Sequence, residues 1–211
     1  MSTSATVASA AAVAATTKMS APDCPADLAP IIAWAKENPW SKEKMSGGGA
    51  GETGKQPKDL ERAEGNKWRK RWKNDGVDTS QWTTIVGEGL VKETLEARGY
   101  KAWKPKTLDG YEPDWETDDF MVEVKSRTWN TTGTAGEKVL GTPYKYASIP
   151  RIYKKPLIIV LVAYQERELR QGKTSIIGEG VNDEQRQILE CYKGLGITYQ
   201  GLTDWFRELG W

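Results

Sequence analysis

Residues 156–164 read PLIIVLVAY. No charged or strongly polar side chain interrupts Leu157–Ala163, so a strand here needs cover on both of its faces. That is the position of a strand in the middle of a sheet flanked by helices. The rest of the chain offers such cover. In SQWTTIVGEGLVKETLEAR, residues 80–98, apolar side chains recur at helical spacing (Trp82, Ile85, Val86, Leu90, Val91, Leu95). Thr79 or Ser80 is placed to cap the start of this helix, and Gly99 to end it. Further helices are predicted over 26–38, 59–74, 183–193 and 202–209, and short strands over 100–103, 111–115, 120–126 and 196–200. A Gly/Thr-rich loop spans 130–142, with a helix possible after it through Tyr146. The expected fold class is α/β, an α/β/α sandwich around a mixed central β-sheet.

The division of the chain follows from composition. Residues 1–25 are Ala/Ser/Thr-rich and read as a disordered tail. Residues 26–78 hold N-terminal helices, a Gly-rich linker and a basic segment, and residues 79–211 hold the core domain. No apolar run is long enough to span a bilayer. The N-terminus has neither the basic start of a signal peptide nor the arginines of a transit peptide. A soluble intracellular protein with no membrane partner is expected.

Histidine is absent and only two cysteines occur, far apart. These facts exclude Ser-His-Asp and Cys-His catalysis, His-based zinc sites and a disulfide framework. Proton transfer or metal binding must use Asp, Glu, Lys, Tyr or backbone. The net charge is only +1, but it is unevenly spread. Residues 109–123 carry seven acids and no base, whereas 125–155 carry seven bases and one acid. Residues 62–73 carry six bases and one acid. An acidic pocket with basic flanks suits a polyanion bridged by a cation.

Strand alternation sharpens this reading. In Phe120–Lys125, the side chains of Phe120, Val122 and Val124 share one face, and Met121, Glu123 and Lys125 the other. With a four-residue turn at Glu116–Asp119, Trp115 pairs with Phe120 and Asp114 with Met121. Asp114 then lies diagonal to Glu123, at a Cβ separation of roughly 7–8 Å or somewhat less. Two carboxylates so placed can share one divalent ion, and an oxygen-only pocket favours Mg²⁺ or Mn²⁺ over zinc. Asp119 lies about 13 Å from Glu123 at strand rise, too far for the same ion.

Pro113–Asp114, followed after eight residues by Glu123-Val124-Lys125, resembles the signature of the PD-(D/E)XK nucleases. This superfamily includes many restriction endonucleases and several Holliday-junction resolvases. The wider stretch, from PDWETD through EVKSRTW to KY-x-x-IPR, is similar to restriction-type nucleases encoded by large DNA viruses. The resemblance spans roughly residues 80–166. It implies Asp114 and Glu123 as metal ligands, Lys125 as the residue that positions or activates water, and Glu88 as a further acid on the preceding helix. It also implies Mg²⁺, with Mn²⁺ as a substitute, double-stranded DNA as substrate, and a restriction endonuclease-like activity. A homodimer is expected because symmetric cutting of both strands suits a two-fold assembly. A companion methyltransferase is left unidentified.

Arg127, Thr132, Thr134, Lys138 and Lys145 are candidate DNA contacts around the loop after the hairpin. Lys67, Arg69, Lys70 and Arg71, with Trp68 and Trp72, could track a strand. That segment could equally be an amphipathic helix with its tryptophans packed on the domain. The hairpin triad could be a surface Glu/Lys pair, and Glu88 could pair with Lys92 at i,i+4. Gln165 and Glu166 end the buried strand and could help the site, or chain-end solvation would explain them. Three other functions stay open: a Holliday-junction resolvase or DNA-repair nuclease, a non-catalytic DNA-binding module, and a P-loop NTPase. The last rests on GAGETGK at 49–55, but Gln56 replaces the Ser/Thr that would hold Mg²⁺ and no buried strand precedes it.

Overall fold

The structure is a computed structural model that describes residues 22–41, 56–130, 135–171 and 174–211, with the side chains of 135–137 excepted. Most of the tail, most of the Gly-rich linker with its GAGETGK stretch, and Thr132 and Thr134 lie outside the described residues. The helices are α1 (Ala29–Lys36), α2 (Pro57–Arg69), α3 (Trp82–Ala97), α4 (Ala135–Leu140), α5 (Thr142–Lys145), α6 (Ile149–Tyr153), α7 (Tyr164–Gln171), α8 (Asp183–Gly194) and α9 (Leu202–Leu209). The strands are β1 (Trp115–Glu116), β2 (Met121–Arg127), β3 (Leu157–Ala163) and β4 (Ile197–Gly201). They form one mixed sheet in the order β1-β2-β3-β4, antiparallel between β1 and β2 and parallel from β2 to β4.

The apolar run becomes β3, with parallel partners on either side and helices over both faces. On one face Val122, Val124, Val160 and Val162 pack with residues of α1, α3 and α9, including Ile31, Leu90 and Phe206. On the other, Met121, Ile159 and Leu161 pack with Val139, Ile149 and Leu169. Alternation therefore runs as the sequence reading expects: Phe120, Val122 and Val124 enter the first core, and Met121 enters the second. Gly99 ends α3 at φ +88, and the Tyr100 N–H returns to the Leu95 carbonyl at 3.0 Å. The start of α3 differs from expectation. Its N-cap is Gln81, which has no side-chain cap, and the Thr79 hydroxyl accepts only from the Gln81 N–H, at 3.0 Å.

The hairpin register also differs. Trp115 pairs with Val122 and Glu116 with Met121, so the turn is Thr117–Phe120 rather than Glu116–Asp119. The cause is the Thr117 hydroxyl, which accepts from the N–H groups of Asp119 and Phe120 at 3.2 and 3.0 Å. A buried hydroxyl that satisfies two turn amides decides where the chain reverses. The slip covers two residues, so each side chain keeps its face. The expected strand at 111–115 shrinks to Trp115–Glu116, and that at 100–103 to a single bridge between Trp103 and Glu116. Helices α6 and α7 occupy stretches for which the sequence reading assigned no helix. Gln165 and Glu166 open α7 and are buried, at 2% and 3% exposure, so chain-end solvation does not describe them.

The N-terminal helices share the first core. Trp34, Trp68 and Trp82 meet pairwise with ring centroids 5.3–6.4 Å apart. Beneath them lies Glu61, 1% exposed. Its carboxylate accepts from the Trp34 indole (2.9 Å), the Trp129 and Asn130 backbone N–H groups (2.8 and 3.0 Å) and the Asn130 amide (3.0 Å). A buried carboxylate with four donors is well compensated, and it ties α2 to the chain leaving β2. Replacing it leaves several buried donors without a partner. Glu61→Ala is expected to lower unfolding stability by about 2–4 kcal/mol, measured by urea denaturation. A loss below about 0.5 kcal/mol, the range of ordinary surface substitutions, would contradict this.

Candidate active site

Side chains from three parts of the chain converge on the β1–β2 hairpin. Continuing the observed register places Asp114 opposite Glu123, closer than the diagonal arrangement expected from the sequence. Asp114 lies just before the two-residue β1, and its Oδ2 accepts from the Val124 backbone N–H at 2.6 Å. A carboxylate thus takes an edge donor on β2 for which β1 is too short to supply a carbonyl. Glu123 is 4% exposed on β2, and Lys125, half-buried, donates to its Oε1.

Glu88 arrives from α3. Gly87 lets that helix approach β2 closely: a Cβ there would lie 2.8 Å from the Ser126 side chain, which itself donates to the Thr83 carbonyl at 2.9 Å. The Glu88 carbonyl accepts from the Trp115 indole at 3.0 Å, and its carboxylate from Lys104 at 2.8 Å. The expected alternative pairing with Lys92 does not form; Lys92 pairs with Glu96 at 2.9 Å.

Burial, then the Glu123 and Glu88 charges, push the Asp114 carboxyl well above its ordinary range. Asp114 therefore lies in partial burial within reach of the charges of Glu123, Glu88 and Lys125. The remaining acids of the 109–123 run go elsewhere. Glu116 pairs with Lys155 at 2.7 Å, Glu112 accepts from Thr107 at 3.0 Å, and Asp118 and Asp119 are exposed at the turn.

Tyr146 was not among the residues singled out from sequence. It sits directly after α5, 9% exposed, in the core on the Glu123 face of the sheet. Burial and the Glu123 charge hold its phenol above the ordinary value, so it stays a neutral donor. No local pattern marks this role. Tyr146 lies outside the strands, and only the return of the chain over the second face brings it to Glu123.

The proposed DNA contacts divide. Lys138 and Lys145 are exposed, and Lys145 Nζ lies 3.2 Å from the Tyr146 hydroxyl. Arg127 pairs with Glu168 at 2.7 Å and lies over the Tyr164 ring, with only a tenth of its side chain exposed. In the basic helix, Lys67 and Lys70 are exposed, Lys67 pairing with Glu64 at 2.6 Å. Arg71 bonds Glu93, at 2.7 Å, and Asp27. Arg69 corrects the expectation: it is 2% exposed and ion-paired with Asp75, because its helix face packs inward. Trp68 joins the aromatic cluster, and Trp72 covers Gly89 while donating to Glu93 at 2.6 Å. The packed reading of this segment is the one that the structure shows.

Among the described residues, no group of three or more His, Cys, Asp or Glu side chains stands close enough to hold a metal ion by itself. The pair Asp114 and Glu123 still fits Mg²⁺. This hard cation takes oxygen donors, keeps several waters, and is commonly bound by one or two carboxylates together with substrate phosphate. The crowding of negative charge around Asp114 is what a cation would relieve. No helix among the described residues is long and apolar enough to cross a membrane. No family model, curated protein or solved structure matches this chain.

The Asp114 carboxyl is raised from 3.8 to about 8 in the folded chain. Between those pH values the folded state holds a proton that the unfolded chain releases, so this group's contribution to stability is full below the lower value and declines as pH rises. Without divalent ions, the melting temperature of the wild type relative to Asp114→Asn is expected to fall from pH 4 to pH 8. A flat difference over that range would contradict the environment described for Asp114.

Proposed function

We propose that this chain is a Mg²⁺-dependent endodeoxyribonuclease of the PD-(D/E)XK type, with a restriction endonuclease-like core. The observation that carries this reading is the meeting of Asp114 with Glu123 across the hairpin, with Lys125 bonded to Glu123 and Glu88 brought in by α3. A mixed sheet with helices over both faces and the acidic pair near one edge suits that core. Absence of histidine leaves Asp, Glu, Lys, Tyr and backbone groups as the chemistry available.

Asp114 and Glu123 would hold the ion, since both present carboxylate oxygen on adjacent chain segments. When bound, Mg²⁺ supplies charge neutralisation at the phosphate and an acidified water. Lys125 can turn from the Glu123 oxygen to donate to a phosphate oxygen or to orient the attacking water. Glu88, anchored by Lys104, adds negative charge beside Asp114 and reinforces the demand for a cation. Exposed Lys138 and Lys145 are available to backbone phosphates of double-stranded DNA. A homodimer would place two such sites on opposite strands.

Purified protein incubated with plasmid DNA and Mg²⁺ is expected to cleave it, and EDTA to stop the reaction. Glu123→Gln and Lys125→Ala are each expected to lose at least about 10²-fold in rate while keeping wild-type circular dichroism. Full Mg²⁺-dependent activity in Glu123→Gln would remove the assignment. Discrete products from linear duplex favour a restriction-type enzyme, whereas preference for a four-way junction favours a resolvase. Gel shifts without products under any metal would mean a binding module.

A further inference from the structure

A second concave site lies at the carboxyl ends of β3 and β4, and none of the hairpin residues lines it. It is a cavity of about 130 Å³, open to solvent, between the end of α1, the helix α7 and the first turn of α9. That volume is well above the ~10–15 Å³ that admits one water, and it accepts a tetrahedral oxyanion. Two backbone features shape it. Ala163 adopts φ +56, so the chain leaves β3 abruptly and enters α7. Gly201 ends β4 without a Cβ, which would collide there with the Glu166 and Arg170 side chains.

The lining is rich in donors and poor in acceptors. Among the described lining residues, Lys36, Arg167 and Arg170 are cations, and Glu166 is the one acid. Glu166 is 3% exposed and its oxygens are already taken. Oε1 accepts from Arg170 at 2.7 Å and from the Thr203 hydroxyl, and Oε2 accepts from the Thr203 N–H at 3.0 Å. Arg170 meets Glu166 and Asp204 through Nη2 alone, which leaves its Nε and Nη1 protons for another acceptor. Lys36 donates one proton to the Trp211 carbonyl at 2.5 Å and keeps the others. Arg167 is exposed and forms no hydrogen bond or ion pair among the described residues; its guanidinium lies 5.9 Å from the Trp129 ring centroid. A ligand with several acceptor oxygens and negative charge matches such a wall, and a guanidinium fork fits phosphate best of all.

We propose that this cavity is a phosphate-binding pocket, with Arg167 and Lys36 as its principal ligands, and that the phosphate belongs to the DNA strand. The pocket stands on its own lining, whereas the DNA source rests on the nuclease reading above. A row of rings and guanidinium groups joins the pocket to the catalytic strand. Arg127 follows Lys125 on the same face of β2 and lies over the Tyr164 ring at 4.9 Å. Tyr164 meets Trp129 at a centroid distance of 5.7 Å, and Trp129 meets Arg167. Rings interleaved with basic groups are how proteins track a nucleic-acid strand.

The first test is calorimetric titration of the full chain with inorganic phosphate, without divalent ions and at an ionic strength held constant with chloride. Saturable binding is expected. Arg167→Met and Lys36→Met, both at exposed positions, are each expected to weaken it about tenfold with an unchanged melting temperature in phosphate-free buffer. Lys193→Met, on the exposed face of α8, is expected to bind as wild type. Absence of saturable binding by the wild-type chain, or wild-type affinity in both pocket variants, overturns the pocket. The second test measures fluorescence anisotropy of a labelled duplex with the Glu123→Gln chain in EDTA, so that no strand is cut. Adding Arg167→Met is expected to weaken duplex binding about tenfold, and inorganic phosphate is expected to compete. Unchanged duplex affinity beside a lost phosphate response overturns the DNA source and assigns the pocket to free phosphate. Neither readout needs cleavage, so loss of the nuclease reading and loss of the pocket are separate results.

Discussion

Everything at the candidate site depends on β2 being a strand with different chemistry on its two faces. Val122 and Val124 are held in one apolar core, so Glu123 and Lys125 must stand on the opposite face. The parallel partner β3 locks that choice, pairing Glu123 with Ile159 and Lys125 with Leu161 in the backbone ladder. A slip of one residue would carry Glu123 and Lys125 into the first, wholly apolar core, a change that the cost of burying unpaired charge opposes. The fold thus carries a carboxylate into its interior by the same alternation that builds the core.

Such a carboxylate is costly to bury unless it is paired. Glu123 meets the requirement with Lys125, and Glu61 meets it on the opposite face of the sheet with four donors. The two sites differ in kind. Glu61 is ringed by neutral donors and stitches three segments together. Glu123 faces another acid, Asp114, with Glu88 close by. Crowding of like charge in partial burial opposes stability, and folds keep such arrangements where a ligand or reaction uses them.

The aromatic layer explains why the basic helix α2 is less free than its composition suggests. Trp68 and Trp72 face the body of the molecule, and Arg69 and Arg71 follow them into ion pairs with Asp75, Glu93 and Asp27. That packing lets α3 lie against β2 through Gly87, which in turn sets Glu88 beside the hairpin. The N-terminal helices therefore support the site from behind.

Local patterns decided a definite share of this molecule. The uninterrupted run at 157–163 required a central strand, the 3.6-residue period of 82–95 required α3, and the two-residue period of 120–125 required Glu123 and Lys125 to share a face, because each pattern is written in consecutive side chains. Other features exist only in three dimensions. The hairpin register followed the Thr117 hydroxyl rather than turn length, and it moved Asp114 from a diagonal position to one opposite Glu123. Arg69 became interior because the face of α2 that carries it packs against the body of the molecule. Tyr146 reached the Glu123 face of the sheet only when the chain after β2 folded back over it. Periodicity specifies which face a side chain occupies, whereas the partner that it meets there depends on how distant segments close and pack, which no short window of sequence contains.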